Sequence, residues 1–97
     1  MFRHTVLLNL TDDATDDQKQ TIVTALHDLP AAIPEIESYV IGTNAGDAPD
    51  NYDIVVIGDF ADKPAYEVYA THPAHVGVIK EHIAPILAGR AAVQCEL

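Results

Sequence analysis

The sequence predicts an α+β fold, a ferredoxin-like plait in which a four-stranded antiparallel sheet carries helices on one face. Three observations lead to this prediction. Apolar and polar residues alternate near the N-terminus, a later segment is apolar at every position, and helical patterns separate the strands in the order βαββαβ. Because the chain has 97 residues, we expect residues 1–97 to form one domain.

The first predicted strand covers residues 2–10, whose alternation has the period of a half-buried strand. One face of this strand carries Phe2, His4, Val6, Leu8 and Leu10. Thr15 followed by Gln18 forms a capping-box pattern and predicts the start of a helix. The apolar stripe of this helix consists of Ile22, Leu26 and Leu29. We expect Pro30 to end the helix, because proline interrupts its hydrogen bonding.

Two further strands are predicted in the middle of the chain. Residues 36–43 form the second strand, with Gly42 as the expected site of a bend or bulge. Residues 44–51 are rich in Asn, Asp, Gly and Pro, which is typical of a loop. Residues 52–60 are the strongest strand candidate, and their apolar centre predicts burial on both faces.

The C-terminal third predicts two helices and a last strand. Asp62 is placed to cap a short helix that runs to about Thr71. A longer helix is expected over residues 73–87, with Gly89 breaking it. Residues 90–97 then complete the sheet as the fourth strand.

The predicted plait leaves one face of the sheet without helices. If Ile54 and Val56 face the helices, then Val55 and Ile57 must point to the opposite side. Leu7 of the first strand shares that side. An apolar strip open to water is an aggregation hazard. We therefore expect a homodimer in which two sheets close face to face as an α+β barrel.

Charge and apolar content exclude several classes of partner. The chain has 15 acidic residues against 5 basic ones, a formal charge of −10, which repels nucleic acid and anionic membranes. No apolar run approaches the roughly 18 residues that a membrane span needs. The N-terminus lacks the long apolar stretch of a secretory signal, so a cytoplasmic location is expected.

The candidate site centres on residues 69–77, Tyr-Ala-Thr-His-Pro-Ala-His-Val-Gly. Pro73 suits the first turn of a helix and pushes His72 out of helical conformation. His75 then lies in that first turn, where free N–H groups and the helix dipole disfavour a positive charge. A neutral imidazole at this position is a candidate proton acceptor, and Tyr69 is a candidate phenolic donor.

His4 lies on an otherwise apolar strand face and needs a hydrogen-bond partner once buried. If Tyr69 or His75 is that partner, the three side chains form one catalytic constellation. The alternative is structural, with these residues joining the two helices and filling the core. His82 is a further candidate at the border of the same pocket. A zinc site from His72, His75 and His4 lacks a fourth ligand, so no metal site is predicted.

Several segments of the chain resemble the stress-responsive A/B barrel (Dabb) family of dimeric α+β barrels. They are His4 within the first strand, Ile-Pro-Glu-Ile at 33–36, Gly42 with Asn44, Tyr-Asp at 52–53 leading to Asp-Phe at 59–60, and above all residues 69–76. The resemblance extends over nearly the whole chain. It implies the plait described above, paired into a barrel, and in some members a magnesium ion near the dimer contact.

Residues 69–77 are most similar to the olivetolic acid cyclase branch of that family. This resemblance implies that Tyr69 and His75 act as acid and base in an aldol-type cyclisation of a linear polyketide, without a cofactor. It also implies that His4 lines the same cavity. The sequence departs from that branch at Ile54, where the cyclase has a further pocket histidine. Ile54 is a candidate ligand contact for this reason, and His72 is another because it lies within residues 69–77.

Two function hypotheses follow from these residues. In the first, a homodimer binds a small apolar carbonyl compound between helices and sheet and performs cyclase- or lyase-like acid/base chemistry. In the second, the protein is a non-catalytic, stress-related dimer that binds a ligand or another protein. Cofactor-free monooxygenase chemistry, as on related barrels, is a third hypothesis. An open, apolar-walled space around the three candidate side chains would favour a ligand-binding or catalytic role.

Overall fold

The computed structural model describes all 97 residues, Met1–Leu97, and contains a single four-stranded antiparallel sheet. The strands are β1 (Phe2–Leu10), β2 (Ser38–Thr43), β3 (Ile54–Phe60) and β4 (Leu87–Glu96). Their spatial order is β2-β3-β1-β4, the order of a ferredoxin-like plait. The predicted fold class is confirmed. No helix is long and apolar enough to span a membrane.

The helices cover one side of this sheet. They are α1 (Asp16–His27), α2 (Leu29–Ala32), α3 (Lys63–Thr71) and α4 (Pro73–Val78), followed by a π-helical turn (Ile79–Ile83) and a 3₁₀ turn (Ala84–Ile86). The predicted capping box at the start of α1 is present. Thr15 Oγ1 accepts a bond from the Gln18 amide at 3.1 Å, and Gln18 Oε1 accepts one from the Thr15 amide at 2.9 Å.

The prediction that Pro30 ends the first helix was wrong. The helix α1 already ends at His27, and Pro30 lies in the first turn of the short helix α2. Its fixed φ and missing N–H suit that position, because first-turn amides have no partner within the helix. The segment after α1 is therefore partly helical.

The helix predicted over residues 73–87 is shorter and divided. The Ala84 amide bonds to the carbonyl of Ile79, five residues back, which makes the π-helical turn. Pro85 has no N–H, so the carbonyl of Glu81 cannot receive the amide bond of a regular α-helix. Gly89 does not break the helix, because it lies inside β4 opposite Asn9. The fourth strand therefore begins at Leu87, earlier than predicted.

The middle strands are also shorter than predicted, beginning at Ser38 and Ile54. The expected bend or bulge at Gly42 is absent. Gly42 pairs with Val55, and the register from Ser38 to Thr43 is continuous. A Cβ at Gly42 would meet the Val55 side chain at 3.4 Å, which is ordinary contact. This glycine is thus compatible with a regular strand.

The two faces of the sheet differ as predicted. Toward the helices, β1 and β3 bury Val6, Leu8, Ile54 and Val56 in a core shared with α1. On the other side, Leu7 lies opposite Val55. We call this side the uncovered face, defined by Leu7, Val40, Val55, Ile57 and Val93. Three of these remain widely exposed in the single chain: Leu7 at 38%, Val40 at 53% and Val93 at 62%.

One ion pair lies at the edge of the uncovered face. Arg3 and Asp59 are cross-strand partners, with Nε to Oδ1 at 2.8 Å and NH2 to Oδ2 at 3.0 Å. The hydrogen bonds from Arg3 hold the pKa of the Asp59 carboxyl below its usual value. This bidentate pair gives the nearly buried carboxylate of Asp59 a partner within the same sheet.

Candidate functional site

A cavity of about 240 Å³ lies between the sheet and the helices. Its walls are largely apolar, with Val6, Leu8 and Val56 from the sheet and Ile79 and Ile83 from the helical side. Its polar side chains are His4, Tyr39, Tyr66, Tyr69, His75 and Arg90. A larger depression of about 450 Å³ on the outer side of α1 is polar and shallow, and none of these groups borders it. The structure thus brings the three candidate catalytic residues into one cavity.

His75 is held with a defined tautomer. Its Nδ1 lies 3.1 Å from the carbonyl oxygen of Ala70. Because a carbonyl oxygen can only accept a hydrogen bond, Nδ1 carries the proton and Nε2 of the neutral ring carries a free lone pair. Burial lowers the pKa of His75, the bond to Ala70 opposes this, and the charge of Arg90 lowers it further. Burial is therefore the main cause of the lowered pKa, which keeps this ring neutral at neutral pH.

The junction between α3 and α4 sets the position of His75. Asp62 Oδ1 caps α3 by accepting the Ala65 amide at 3.0 Å. His72 is extended, with φ −63° and ψ 134°, and its Nδ1 accepts the Ala74 amide at 3.0 Å. The predicted break at His72, with Pro73 in the first turn of α4, is present. His72 caps the helix and does not line the cavity.

Tyr69 combines burial with a hydroxyl pair. Its side chain is 2% exposed, and its ring stacks on the His75 imidazole with centroids 4.2 Å apart. The hydroxyl oxygen lies 2.7 Å from that of Tyr39 on β2. One hydroxyl donates to the other, which leaves one O–H of the pair available to a ligand. Burial raises the pKa of Tyr69 to about 12 and also raises the pKa of Tyr39. Both phenols therefore stay protonated at neutral pH.

The hydrogen-bond partner of His4 is Gln94, on the neighbouring strand β4. Gln94 Nε2 donates to His4 Nδ1 at 2.8 Å, so neither of the two possible partners, Tyr69 and His75, bonds to this nitrogen. The reason is register, because His4 and Gln94 face each other across β1 and β4. Burial, with the charges of Arg90 and His75, lowers the pKa of His4 to about 4. The ring is neutral, and its Nε2–H is a further hydrogen-bond donor at the cavity.

Three residues at the site follow from strand pairing and were not identified from the sequence: Tyr39 and Arg90 line the cavity, and Gln94 bonds to His4. Tyr39, Gly58, His4 and Gln94 form one row across the sheet. The row explains why Tyr39 and Gln94 reach the site. Arg90 lies opposite Leu8 and borders the same cavity. The sequence did contain a signal for two of them: Arg90 and Gln94 are four residues apart, and residues an even number apart in a strand lie on the same face.

Two other candidate contacts lie elsewhere. Ile54 is 1% exposed in the core and does not border the cavity. His82 lies in a separate groove with Gln18 and Thr21. Its Nε2 is 3.9 Å from the Glu81 carboxylate. No group of three or more His, Cys, Asp or Glu side chains is placed to hold a metal ion.

Comparisons with known proteins agree on family and fold. The family model described as stress responsive A/B barrel domain, Dabb, matches residues 2–97. A dimeric ferredoxin-like protein of unknown function from Thermobifida fusca is 42% identical, with a TM-score of 0.89, and the match covers 99% of this chain and 90% of that one. A dimeric protein of unknown function from Bacteroides fragilis is 30% identical, with a TM-score of 0.84 and coverage of 99% and 95%.

A hydroxynitrile lyase from Passiflora edulis shares the fold at lower identity. It is 18% identical, with a TM-score of 0.85, and the match covers 99% of this chain and 92% of that one. At this identity the likeness concerns the fold alone. No curated protein matches the sequence.

Proposed function

Since this chain belongs to the stress-responsive A/B barrel (Dabb) family, we propose that it is a homodimer with a small-molecule cavity in each protomer. In this cavity it performs cofactor-independent acid/base chemistry, of the cyclase or lyase type, on a polyketide-like carbonyl compound. The observation that carries the proposal is the free Nε2 of His75 in an apolar cavity beside a phenol pair.

His75 is the proposed base. Its Nε2 takes a proton from a carbon between two carbonyl groups, and the electron pair of that C–H bond becomes an enolate. The enolate carbon attacks a carbonyl carbon farther along the same molecule and forms a C–C bond. The imidazolium of His75 then returns the proton to the new alkoxide. The lowered pKa of His75 supports this role, because the ring is unprotonated and ready to accept at neutral pH.

The phenol pair and His4 are the proposed donors to the developing negative charge. The O–H left free by the bond between Tyr39 and Tyr69 can bond to an enolate oxygen. His4 Nε2–H is available to the second carbonyl, because Gln94 occupies only Nδ1. In an apolar cavity such donors are stronger than in water. The similarity of residues 69–77 to the olivetolic acid cyclase branch supports this assignment of acid and base.

The homodimer is supported by the uncovered face and by the relatives. Leu7, Val40 and Val93 form an exposed apolar surface on a chain of 97 residues. Related structures at 42% and 30% identity are described as dimeric. Packing two such faces together removes the apolar surface from water.

The second candidate function is binding without catalysis. It is favoured by the internal bonding of the polar groups, since Tyr69 is bonded to Tyr39 and His4 to Gln94. A protein that only binds a carbonyl compound needs the same cavity and the same donors. It does not need the free lone pair of His75, and this difference allows a test.

The test compares wild type with His75→Gln. Glutamine retains an N–H donor and lacks a basic nitrogen. The measurement is hydrogen–deuterium exchange by NMR at the carbon between the two carbonyl groups of a 3-oxo ester, in mildly acidic D₂O where background exchange is slow. We expect wild type to accelerate exchange and the substitution to reduce the acceleration by about 100-fold or more.

His27→Gln on the exposed surface of α1 is the matched control and should exchange like wild type. Binding of the ester is followed separately by thermal shift. Equal acceleration by wild type and His75→Gln would remove His75 as the base. Binding by wild type without any acceleration would favour the second candidate function.

A further inference from the structure

The cavity contains one permanent charge, that of Arg90. No Asp or Glu is among the residues that line it. The ion pairs of the molecule join Arg3 to Asp59 and His82 to Glu81, and none includes Arg90. Arg90 is exposed to solvent on β4 in the single chain. It borders the apolar cavity without a carboxylate partner from its own chain.

The overall composition of the chain shows that the lack of a carboxylate beside Arg90 does not reflect a shortage of acidic residues. Acidic residues outnumber Lys and Arg by 15 to 5, so carboxylates are abundant on the molecule. The cavity nevertheless excludes them and includes an arginine. A guanidinium offers five N–H donors in a fork that matches a carboxylate with two parallel bonds. An arginine in this position is thus suited to recognise an anionic ligand.

The position of Arg90 also defines the orientation of such a ligand. Arg90 and Gln94 lie on the same face of β4, four residues apart, which corresponds to about 13 Å along the strand. Gln94 bonds to His4 at one end of this stretch of about 13 Å, and Arg90 lies at the other end, opposite Leu8. Arg90, His4 and His75 all border the same cavity. An elongated ligand can therefore contact the arginine and the imidazoles simultaneously.

We propose that the ligand is a small carbonyl compound with an apolar body and a terminal carboxylate, which Arg90 binds while the body fills the cavity. This assignment of the substrate class rests on the proposed function. The cavity of about 240 Å³ fits a small ligand, since drug-sized ligands occupy pockets of about 300–1,000 Å³. Arg90 is a specificity-determining residue here, and His75 keeps the chemical role.

The test uses two probes of nearly the same shape, the anion 7-oxooctanoate and its neutral amide, 7-oxooctanamide. Binding to the full chain is measured by calorimetry or NMR titration. We expect wild type to bind the carboxylate about 10-fold or more tightly than the amide, as for a charge-assisted bond. Arg90→Gln should abolish this preference and leave the affinity for the amide unchanged.

Two further variants sharpen the test. Arg90→Lys keeps the charge without the planar fork, so it should retain only part of the preference. Lys63→Gln removes one positive charge from the exposed start of α3 and should leave both affinities unchanged. A loss of preference in Lys63→Gln equal to that in Arg90→Gln would mean that net charge, and not Arg90, determines the preference, which overturns the assignment.

The outcomes separate this inference from the proposed function. Equal affinity of wild type for both probes overturns the carboxylate assignment, and binding of the amide leaves the proposed cavity function in place. If neither probe binds while His75-dependent exchange of the 3-oxo ester persists, the carboxylate assignment falls alone. If that exchange is also absent, both proposals fall. The comparison of probes on wild type holds even if an Arg90 variant does not fold.

Discussion

The two faces of the sheet are built from alternate residues of the same strands and have opposite properties. Toward the helices, His4 bonds to Gln94 and Tyr69 bonds to Tyr39 within the chain. On the uncovered face, Leu7 and its neighbours meet no side chains from the helices and stay exposed. A single chain thus covers the cavity face with its own helices. The uncovered face is removed from water only when a second protein surface packs against it.

This difference shows how one short chain can supply both a site and an interface. The period of two along β1 sends His4 and Val6 to the cavity and Thr5 and Leu7 to the other side. The candidate catalytic side chains lie on the face where burial strengthens hydrogen bonds. The uncovered face has an apolar centre, and its ion pair between Arg3 and Asp59 lies toward one end.

The largest effect is expected for Leu7→Asp, which changes the uncovered face only. In a symmetric dimer the substitution removes two buried leucines, at about 1.5–3 kcal/mol each. The dissociation constant of the dimer should therefore rise by more than about 100-fold. Sedimentation at several protein concentrations measures it.

Val68→Asp is the control for that experiment, because Val68 is 45% exposed on α3, outside the uncovered face. It should leave the dissociation constant unchanged. A Leu7→Asp protein that dimerises like wild type, or a wild type that is monomeric at high concentration, would remove the proposed interface.

The next effect concerns the cavity face and depends on pH. The pKa of His4 is about 4 in the folded chain, against about 6.5 for an unperturbed histidine. Between these values the unfolded chain binds more protons, so the stability contribution present above pH 6.5 is lost as the pH falls toward 4. The loss amounts to at most roughly 3 kcal/mol. Denaturant titrations at fixed protein concentration from pH 8 to 4 measure the free energy of unfolding.

His4→Asn should remove this contribution, since asparagine does not titrate and its side-chain oxygen can still accept from Gln94. The difference in free energy of unfolding between wild type and variant is then constant above pH 7. Toward pH 4 the wild type loses stability that the variant keeps, so the difference shifts in favour of the variant. His27→Gln, on the exposed surface of α1, serves as the control substitution. Parallel profiles for wild type and His4→Asn would contradict the assignment of a buried, neutral His4.

The smallest expected effect is the difference in stability loss between removing the Tyr39 hydroxyl and removing the Tyr69 hydroxyl. Tyr39→Phe leaves the hydroxyl of the buried Tyr69 without its partner, which costs about 1–3 kcal/mol. Tyr69→Phe leaves the half-buried Tyr39 hydroxyl, which water can reach, so the cost should be about 0.5–1.5 kcal/mol. Thermal unfolding of both variants and the double variant measures the coupling. Equal losses would mean that water reaches both hydroxyls equally.

Much of the fold was predictable because its signals are local. The capping box at Thr15, the cap at Asp62 and the break at His72 each depend on residues within a few positions of one another. The alternation along β1 correctly assigned Leu7 to the uncovered face. The helix predicted over residues 73–87 was less accurate, because Pro85 and the π-helical turn change hydrogen bonding in a way that apolar spacing does not reveal.

The sequence by itself determined the order of the elements, the two faces of the sheet and three groups, His4, Tyr69 and His75, that meet in the cavity. Only the tertiary structure decided which partners these groups have. Gln94 is 90 residues from His4, and Tyr39 is 30 residues from Tyr69. Such contacts arise from strand register and from packing between sheet and helices. Alternation along a strand predicts which face a residue lies on, but only the assembled chain determines which residue of another element it meets.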